Sequence, residues 1–154
     1  MKKLWRGGMA MMLLMLMLTA CGQNQQGEEK QAEGMQIAFK APDKVTAGKK
    51  LEYSVQLMKD GQPVQGADVV VHLEMAAMDH GKNGFRAAMT EPGTYKGHAV
   101  LPMGGDWLAY VQVKAGKAEE TRQFPFTAEG DMMLPEEMDK AGLHEDGSLK
   151  NPDF

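Results

Sequence analysis

Residues 51–58, LEYSVQLM, alternate strictly between apolar and polar side chains. The apolar positions are Leu51, Tyr53, Val55 and Leu57. Since successive side chains of a strand point to opposite faces, this period of two predicts a strand with one buried face. Asp60, Gly61 and Pro63 follow, and these residue types are typical of a tight turn. The stretch therefore predicts a half-buried strand that ends in a turn.

The same period of two recurs between residue 35 and about residue 128. Further strands are predicted over residues 35–40, 67–75, 84–89, 93–101, 106–113 and 118–127. Turn residues separate them about every ten residues, and neither helical spacing nor a nucleotide-binding glycine fingerprint interrupts the pattern. Seven short strands of this kind predict an all-β fold, an immunoglobulin-like antiparallel β-sandwich over residues 35–128.

Residues 1–20 have the pattern of an export signal. Lys2, Lys3 and Arg6 precede a largely apolar run over residues 9–20, which is shorter than the roughly 20 residues of a membrane span. The run ends in Leu-Thr-Ala-Cys, which resembles the bacterial lipobox, where cleavage precedes a lipid-bearing cysteine. We therefore predict a lipoprotein signal peptide over residues 1–20 and lipid attachment at Cys21. The alternative is an ordinary secretory signal followed by a chance cysteine.

Two segments outside the predicted sandwich are polar. Residues 22–34 contain no large apolar side chain, so we predict that residues 21–34 form the lipidated cysteine and a flexible tether. Residues 129–154 carry eight acidic and two basic side chains, which favours a disordered acidic tail. The alternative for this tail is one or two helical turns that begin near Pro135.

Charge and cysteine content limit the partners. Removal of the signal takes the formal net charge from −4 to −7, because the signal holds three basic residues and no acidic one. This charge argues against nucleic acid as a partner. Cys21 is the single cysteine, so no internal disulfide can form. No catalytic triad, reactive cysteine or pocket pair of carboxylates can be read from the chain, which argues against an enzyme. We expect an extracytoplasmic monomer held to a bacterial membrane by lipid.

Strand parity gathers soft donor side chains at one end of the predicted sandwich. Consecutive antiparallel strands place alternate connections at the same end, so those near 41–50, 76–83 and 102–105 belong together. The candidate ligands in or beside these connections are Met75, Met78, His80 and Met103. His98 is a second-tier candidate, because alternation points it towards solvent unless its strand curls near the end.

Other methionines and histidines have structural interpretations. Met75 continues the inward register of its strand, so it can also be read as a core residue alone. Met89 falls at the opposite end and is predicted to fill the core, whereas His72 is predicted to be a solvated surface residue. Met132 and Met133 emerge beside the candidate ligands and are predicted to be exposed, with a lid or docking element as the alternative.

A combination of thioether and imidazole donors indicates copper. Thioether sulfur is a soft, uncharged ligand that suits Cu(I), whereas Mg²⁺ and Ca²⁺ require oxygen ligands. Zinc sites usually offer cysteines, several histidines or carboxylates, which these loops lack. The sequence therefore predicts a copper site, with Cu(I) as the favoured state, formed by Met75, Met78, His80 and Met103 with His98 as a possible addition.

These residues resemble the YtkA-like/FixH-like domain. The features are a methionine-containing strand end with a following histidine, a Gly-x-Tyr strand, and a Met-Gly-x-Trp turn. They correspond here to Met75, Met78 and His80, to Gly93 and Tyr95, and to Met103, Gly104 or Gly105, and Trp107. One departure is an extra glycine between Met103 and Trp107, and the resemblance covers about residues 35–127.

The resemblance implies an immunoglobulin-like sandwich on an exported or membrane-tethered protein, with a role in copper handling or in maturing a copper-containing oxidase. We therefore expect a lipoprotein that binds copper and delivers it to a copper-accepting exported or membrane protein. The alternative is an immunoglobulin-like binding or assembly module that takes no metal and recognises another exported protein.

Overall fold

A computed structural model describes residues 34–76 and 82–154. The described residues all belong to one compact unit, Gln31–Phe154. The predictions on the signal peptide, Cys21 and most of the tether therefore lie outside the described residues, as do those on Met78 and His80. Within the described part of the chain, no helix is long and apolar enough to cross a membrane.

The described residues form eight antiparallel strands and one short helix. The strands are β1 (Gln36–Lys40), β2 (Lys50–Lys59), β3 (Gln62–Pro63), β4 (Asp68–Met75), β5 (Gly84–Glu91), β6 (Thr94–Val100), β7 (Gly105–Ala115) and β8 (Ala118–Ala128), and the helix is α1 (Pro135–Lys140). All seven predicted strands are confirmed. The additional strand, β3, has only two residues and pairs with the end of β2.

The strands follow the order β1-β2-β6-β5-β4-β7-β8, with β3 beside β2. β5 belongs to both layers, because its first half pairs with β4 and its second half pairs with β6. The two ends of the order meet in the core, where the ring of Phe39 in β1 lies 5.9 Å from that of Phe124 and 5.8 Å from that of Phe126 in β8. The fold is therefore the predicted all-β antiparallel sandwich, nearly closed into a barrel.

The core consists of the inward-facing side chains of the strands whose apolar and polar residues alternate. Tyr53, Val55 and Leu57 of β2 are fully buried, as are Val69, Val71 and Leu73 of β4. Burying an apolar side chain of this size contributes about 1.5–3 kcal/mol to stability. Burial also raises the pKa of Tyr53 to about 12, since the charged phenolate is poorly solvated there.

The prediction that Met89 fills the core is wrong. Met89 is 46% exposed although it continues the inward register of Phe85 and Ala87. By this point β5 has left β4 and pairs with β6 alone, and its register shifts between Met89 and Glu91. The alternation that buries Phe85 and Ala87 therefore does not continue to bury Met89.

The two ends of the sandwich differ, and we call them the hairpin end and the rim end. The hairpin end carries the turns at 60–61, 92–93 and 116–117, and also Met35, whose N–H donates to Glu120 Oε1 at 3.2 Å. The rim end carries the connections 41–49 and 101–104, both described ends of the connection between β4 and β5, and the exit of β8. The predicted distribution of the connections between the two ends is confirmed.

The prediction of a disordered tail does not match the structure of residues 129–154. Helix α1 lies in this segment, as the alternative prediction had it. Met133, Met138 and Leu143 are buried together in a small second core, against which Leu149 packs. The expectation that Met133 is exposed is therefore wrong, whereas Met132 is exposed as predicted. Apolar residues dispersed among the acidic ones supply this core.

Candidate metal site at the rim end

Met75 is the last residue of β4 and lies opposite Trp107 of β7 in the strand pairing. Its side chain is half-buried and packs against the main core. A Cβ atom placed on Gly105 would lie 2.3 Å from the Met75 Cε. Because a larger residue would occupy the same space, Gly105 allows the methionine to lie across the start of β7.

Met103 lies in the connection that leads into β7. It is half-buried against the same core, and its carbonyl oxygen accepts a hydrogen bond of 3.3 Å from Trp107 Nε1. Gly104 approaches the backbone of the tail so closely that a Cβ there would lie 2.4 Å from the carbonyl oxygen of Gly130. Gly104 thus allows the contact with the tail, and Gly105 allows the contact with Met75. Met75 and Met103 are both positioned by Trp107.

His98 lies on the outer face of the sheet, not with these methionines. It pairs with Glu52 across β6 and β2, its side chain is half exposed, and its Nε2 lies 3.9 Å from Glu52 Oε2. Lys96 donates a hydrogen bond to Glu52 at 2.9 Å and lowers the pKa of that carboxyl. The strand does not curl His98 towards the rim, and the structure does not bring it together with Met75 and Met103.

Met78 and His80 lie outside the described residues, but both ends of their connection are described. The N–H of Ala76 donates to the Asp106 carbonyl at 3.0 Å, and the N–H of Leu73 donates to the Asn83 carbonyl at 2.9 Å. The connection therefore starts and ends at the rim end. Whether Met78 and His80 join the methionines stays a prediction.

Within residues 34–76 and 82–154, no group of three or more histidine, cysteine, aspartate or glutamate side chains converges in a way that suits a metal ion. A metal site at the rim end would accordingly depend on methionine sulfur and on donors in residues 77–81. That donor set is soft and suits Cu(I) better than a hard cation.

Sequence reasoning missed the part that the tail plays at this end. The N–H of Met133 donates to the Pro102 carbonyl at 2.8 Å, and the N–H of Gly104 donates to the Gly130 carbonyl at 3.1 Å. Both bonds fix the connection that carries Met103. The one signal in the sequence was the presence of apolar residues within the acidic segment.

The tail also reaches the outer face of β4. The ring of Phe154 lies edge-on to that of His72, with their centroids 5.0 Å apart. Beside it, Arg86 pairs with Asp68 and donates from Nε to the Asp153 carbonyl at 3.4 Å. His72 is consequently half-buried and not the solvated surface residue predicted, and burial lowers its pKa.

The fold and the position of the candidate ligands define an all-β domain with methionines at one end. The chain belongs to the YtkA-like family, whose family model matches residues 29–112. Among solved structures the chain is similar to a DUF4426 family protein from Pseudomonas aeruginosa PAO1, with 16% sequence identity, a TM-score of 0.49, and coverage of 66% of this chain and 96% of that chain. No curated protein matches the chain significantly.

Proposed function

We propose that the protein is a lipid-anchored extracytoplasmic protein that binds one copper ion, as Cu(I), at the rim end and passes it to a copper-accepting exported or membrane protein. The observation that supports this most is the pairing of Met75 with Trp107, whose indole in turn bonds the Met103 carbonyl. Two thioether-bearing residues that are 28 positions apart are thereby tied to one residue, Met75 through the strand pairing and Met103 through its carbonyl.

The donor chemistry supports copper as the cargo. Met75 and Met103 would supply neutral sulfur, and Met78 and His80 would complete the set with a thioether and an imidazole. Neutral ligands leave the single charge of Cu(I) uncompensated, so the ion is held by ligand softness and not by charge pairing. A protein that transfers its ion benefits from such a set, because the recipient can replace neutral ligands one at a time. We propose binding and transfer, not catalysis.

The placement of the rim end supports delivery. Met35 lies at the hairpin end, held by Glu120. A lipidated tether over residues 21–34 would therefore join the sandwich at the end opposite Met75 and Met103, and would leave the rim end accessible to a recipient.

Titration with Cu(I) in competition with a chelator of known affinity tests the proposal on the chain from residue 22. We expect a dissociation constant below about 1 μM. Changing both Met75 and Met103 to leucine keeps volume and removes sulfur, and should weaken binding by about tenfold or more. His80→Ala should do the same. Met89→Leu at the hairpin end is the matched control and should leave binding unchanged. Unchanged binding in the double variant would show that these residues are not the ligands.

The lipid anchor is tested separately. The full chain expressed in bacteria should incorporate labelled palmitate and sediment with membranes, and a Cys21→Ala variant should do neither. Equal labelling of both chains would contradict the anchor without bearing on copper.

One observation favours the alternative of a binding or assembly module without metal. Met132 and Leu134 are 56% and 57% exposed on either side of the buried Met133, which leaves two large apolar side chains accessible beside the rim end. Absence of copper binding tighter than about 1 μM would favour this module.

A further inference from the structure

Asn83 is the one buried polar residue among those that the structure describes, and it is only 1% exposed. It lies directly before β5, two residues after the stretch 77–81 that carries two of the candidate ligands. Its Nδ2 donates to the Val100 carbonyl at 3.2 Å and to the Gly147 carbonyl at 3.0 Å. The side chain therefore joins the start of β5, the end of β6 and the tail.

A buried amide destabilises a fold unless it is hydrogen-bonded, by about 1–3 kcal/mol per unpaired group in proteins. Both Nδ2 hydrogens of Asn83 are used, whereas its Oδ1 is buried without a partner in the described part of the chain. An apolar residue would avoid this cost at the same position, but it could not connect the three segments. The amide thus has a connecting role that packing alone does not require.

The tail reinforces this connection from its own backbone. The N–H of Leu149 donates to the Lys82 carbonyl at 2.7 Å, next to the bond between Asn83 and Gly147. Leu149 is in turn packed against the second core that holds Met138 and Leu143. Two successive residues at the end of the ligand-bearing connection are therefore bonded to a short, anchored piece of the tail.

The other ligand-bearing connection is bonded to the same tail. Gly104 and Pro102, on either side of Met103, bond to Gly130 and Met133. The tail therefore bridges the connection that ends at Asn83 and the connection that carries Met103. Neither bridge follows from the pairing of the sandwich strands.

We infer that Asn83 is a positioning residue, and that with residues 147–149 it forms a clamp on Lys82 and Asn83, the described end of the connection that carries Met78 and His80. The effect of the clamp on metal affinity rests on the proposed function, whereas the clamp itself does not. Outer residues that orient ligands typically change metal affinity by about 10–100-fold when they are altered.

The test compares Asn83→Asp with Asn151→Asp in the chain from residue 22. The first change replaces two donated hydrogen bonds by a carboxylate facing two carbonyl oxygens, and the second makes the same change in charge at an exposed position of the tail. Asn83→Asp should accelerate hydrogen exchange at the Leu149 amide by about tenfold or more and weaken Cu(I) binding by about tenfold. Asn151→Asp should change neither.

The remaining outcomes test the clamp, the positioning role and the proposed function separately. Unchanged Leu149 exchange in a folded Asn83→Asp variant would overturn the clamp. Faster exchange with unchanged copper affinity would overturn the positioning role. If the unaltered protein binds no copper, the proposed function fails, and Leu149 exchange alone still decides the clamp.

A second variant covers the case in which Asn83→Asp does not fold. A chain that ends at Glu145 lacks Gly147 and Leu149 but keeps Met133, Met138 and Leu143. It should show faster exchange at the Leu73 amide, which bonds the Asn83 carbonyl, and the same loss of copper affinity. Full protection of Leu73 with full affinity would overturn the inference.

Discussion

The hairpin end and the rim end of the sandwich are closed by different kinds of interaction. At the hairpin end each turn has two residues and joins strands that are neighbours in sequence. At the rim end, long connections are held by partners far away in the chain, as where Thr46 bridges Glu129 and Gly104 bonds Gly130. The comparison separates what local turn chemistry can specify from what only the folded tail can specify.

The turn after β2 illustrates the local kind. Asp60 and Gly61 both have positive φ, 51° and 73°, which matches the twist of a two-residue hairpin. At the rim end Gly105 also has a positive φ, 137°, but there the absence of a Cβ leaves room for the distant Met75 side chain. Gly61 is thus required by its own turn, whereas Gly105 is required by a side chain distant in the sequence.

Gly84→Ala should have the largest effect on stability. Gly84 starts β5 at the rim end with φ 146°, and a Cβ there would lie 2.0 Å from the carbonyl oxygen of Val71. Since the obstacle is backbone, it cannot rotate away, and we expect a loss of about 4 kcal/mol in the free energy of unfolding, measured with denaturant.

Gly61→Ala is the control at the hairpin end. It shares the positive φ but has no atom within 4 Å of the added Cβ, so it should cost about 1 kcal/mol. Equal losses for both glycines would show that the backbone contact at Gly84 adds nothing to the cost of its positive φ.

Leu57→Ala and Leu143→Ala compare the main core with the second core. Leu57 is fully buried in β2, and its truncation should lower the free energy of global unfolding by about 3 kcal/mol. Leu143 is buried almost as completely, but in the tail. Its truncation should open the tail locally and change global unfolding by less than about 1 kcal/mol.

Hydrogen exchange distinguishes local opening of the tail from global unfolding. Leu143→Ala should accelerate exchange at the amides of Leu149 and Lys150, which bond Lys82 and Gly142, and leave the strand amides protected. A global loss as large as that of Leu57→Ala would instead make the tail part of one cooperative unit with the sandwich.

The sequence predicted what depends on neighbours along the chain. The alternation from Tyr53 to Leu57 and the Asp60-Gly61 turn were sufficient for β2 and the turn that ends it, because period and turn chemistry are local properties. Parity of the strands then placed Met75 and Met103 at a common end without any knowledge of packing. This covers nearly all of the fold and the described half of the candidate site.

The remainder depended on contacts that no local pattern encodes. Met133 is buried because it packs over Gly48 and bonds Pro102, and neither partner is near it in sequence. Asn83 resembles any polar loop residue until its two carbonyl partners are known. Met89 was misplaced because a strand that passes between layers breaks the rule that links register to burial.

Met75→Gln and Met89→Gln test the two ends with the same substitution. Met75 packs against the main core at the rim end, so a polar amide there should cost about 1–2 kcal/mol. Met89 is nearly half exposed at the hairpin end, and its replacement should stay within about 0.5 kcal/mol. Thermal unfolding of the metal-free proteins measures both losses of stability. A larger loss for Met89→Gln than for Met75→Gln would show that the Met89 side chain is buried.

The smallest effect should come from the pH response of His72, which Phe154 covers on the outer face of β4. Burial lowers the pKa of His72 from its ordinary value of 6.5, and Lys82 lowers it further while Glu74 raises it. The folded protein therefore binds fewer protons than the unfolded chain just below pH 6.5, so stability should fall slightly as the pH drops through this range. Phe154→Ala should uncover the imidazole and raise its pKa towards 6.5, as followed by NMR titration of the ring protons. Phe154→Leu, which keeps an apolar cover, should leave the pKa low. If Phe154→Ala left the His72 pKa unchanged, the tail would not shield this face in solution, and its ordered contacts would be confined to the rim end.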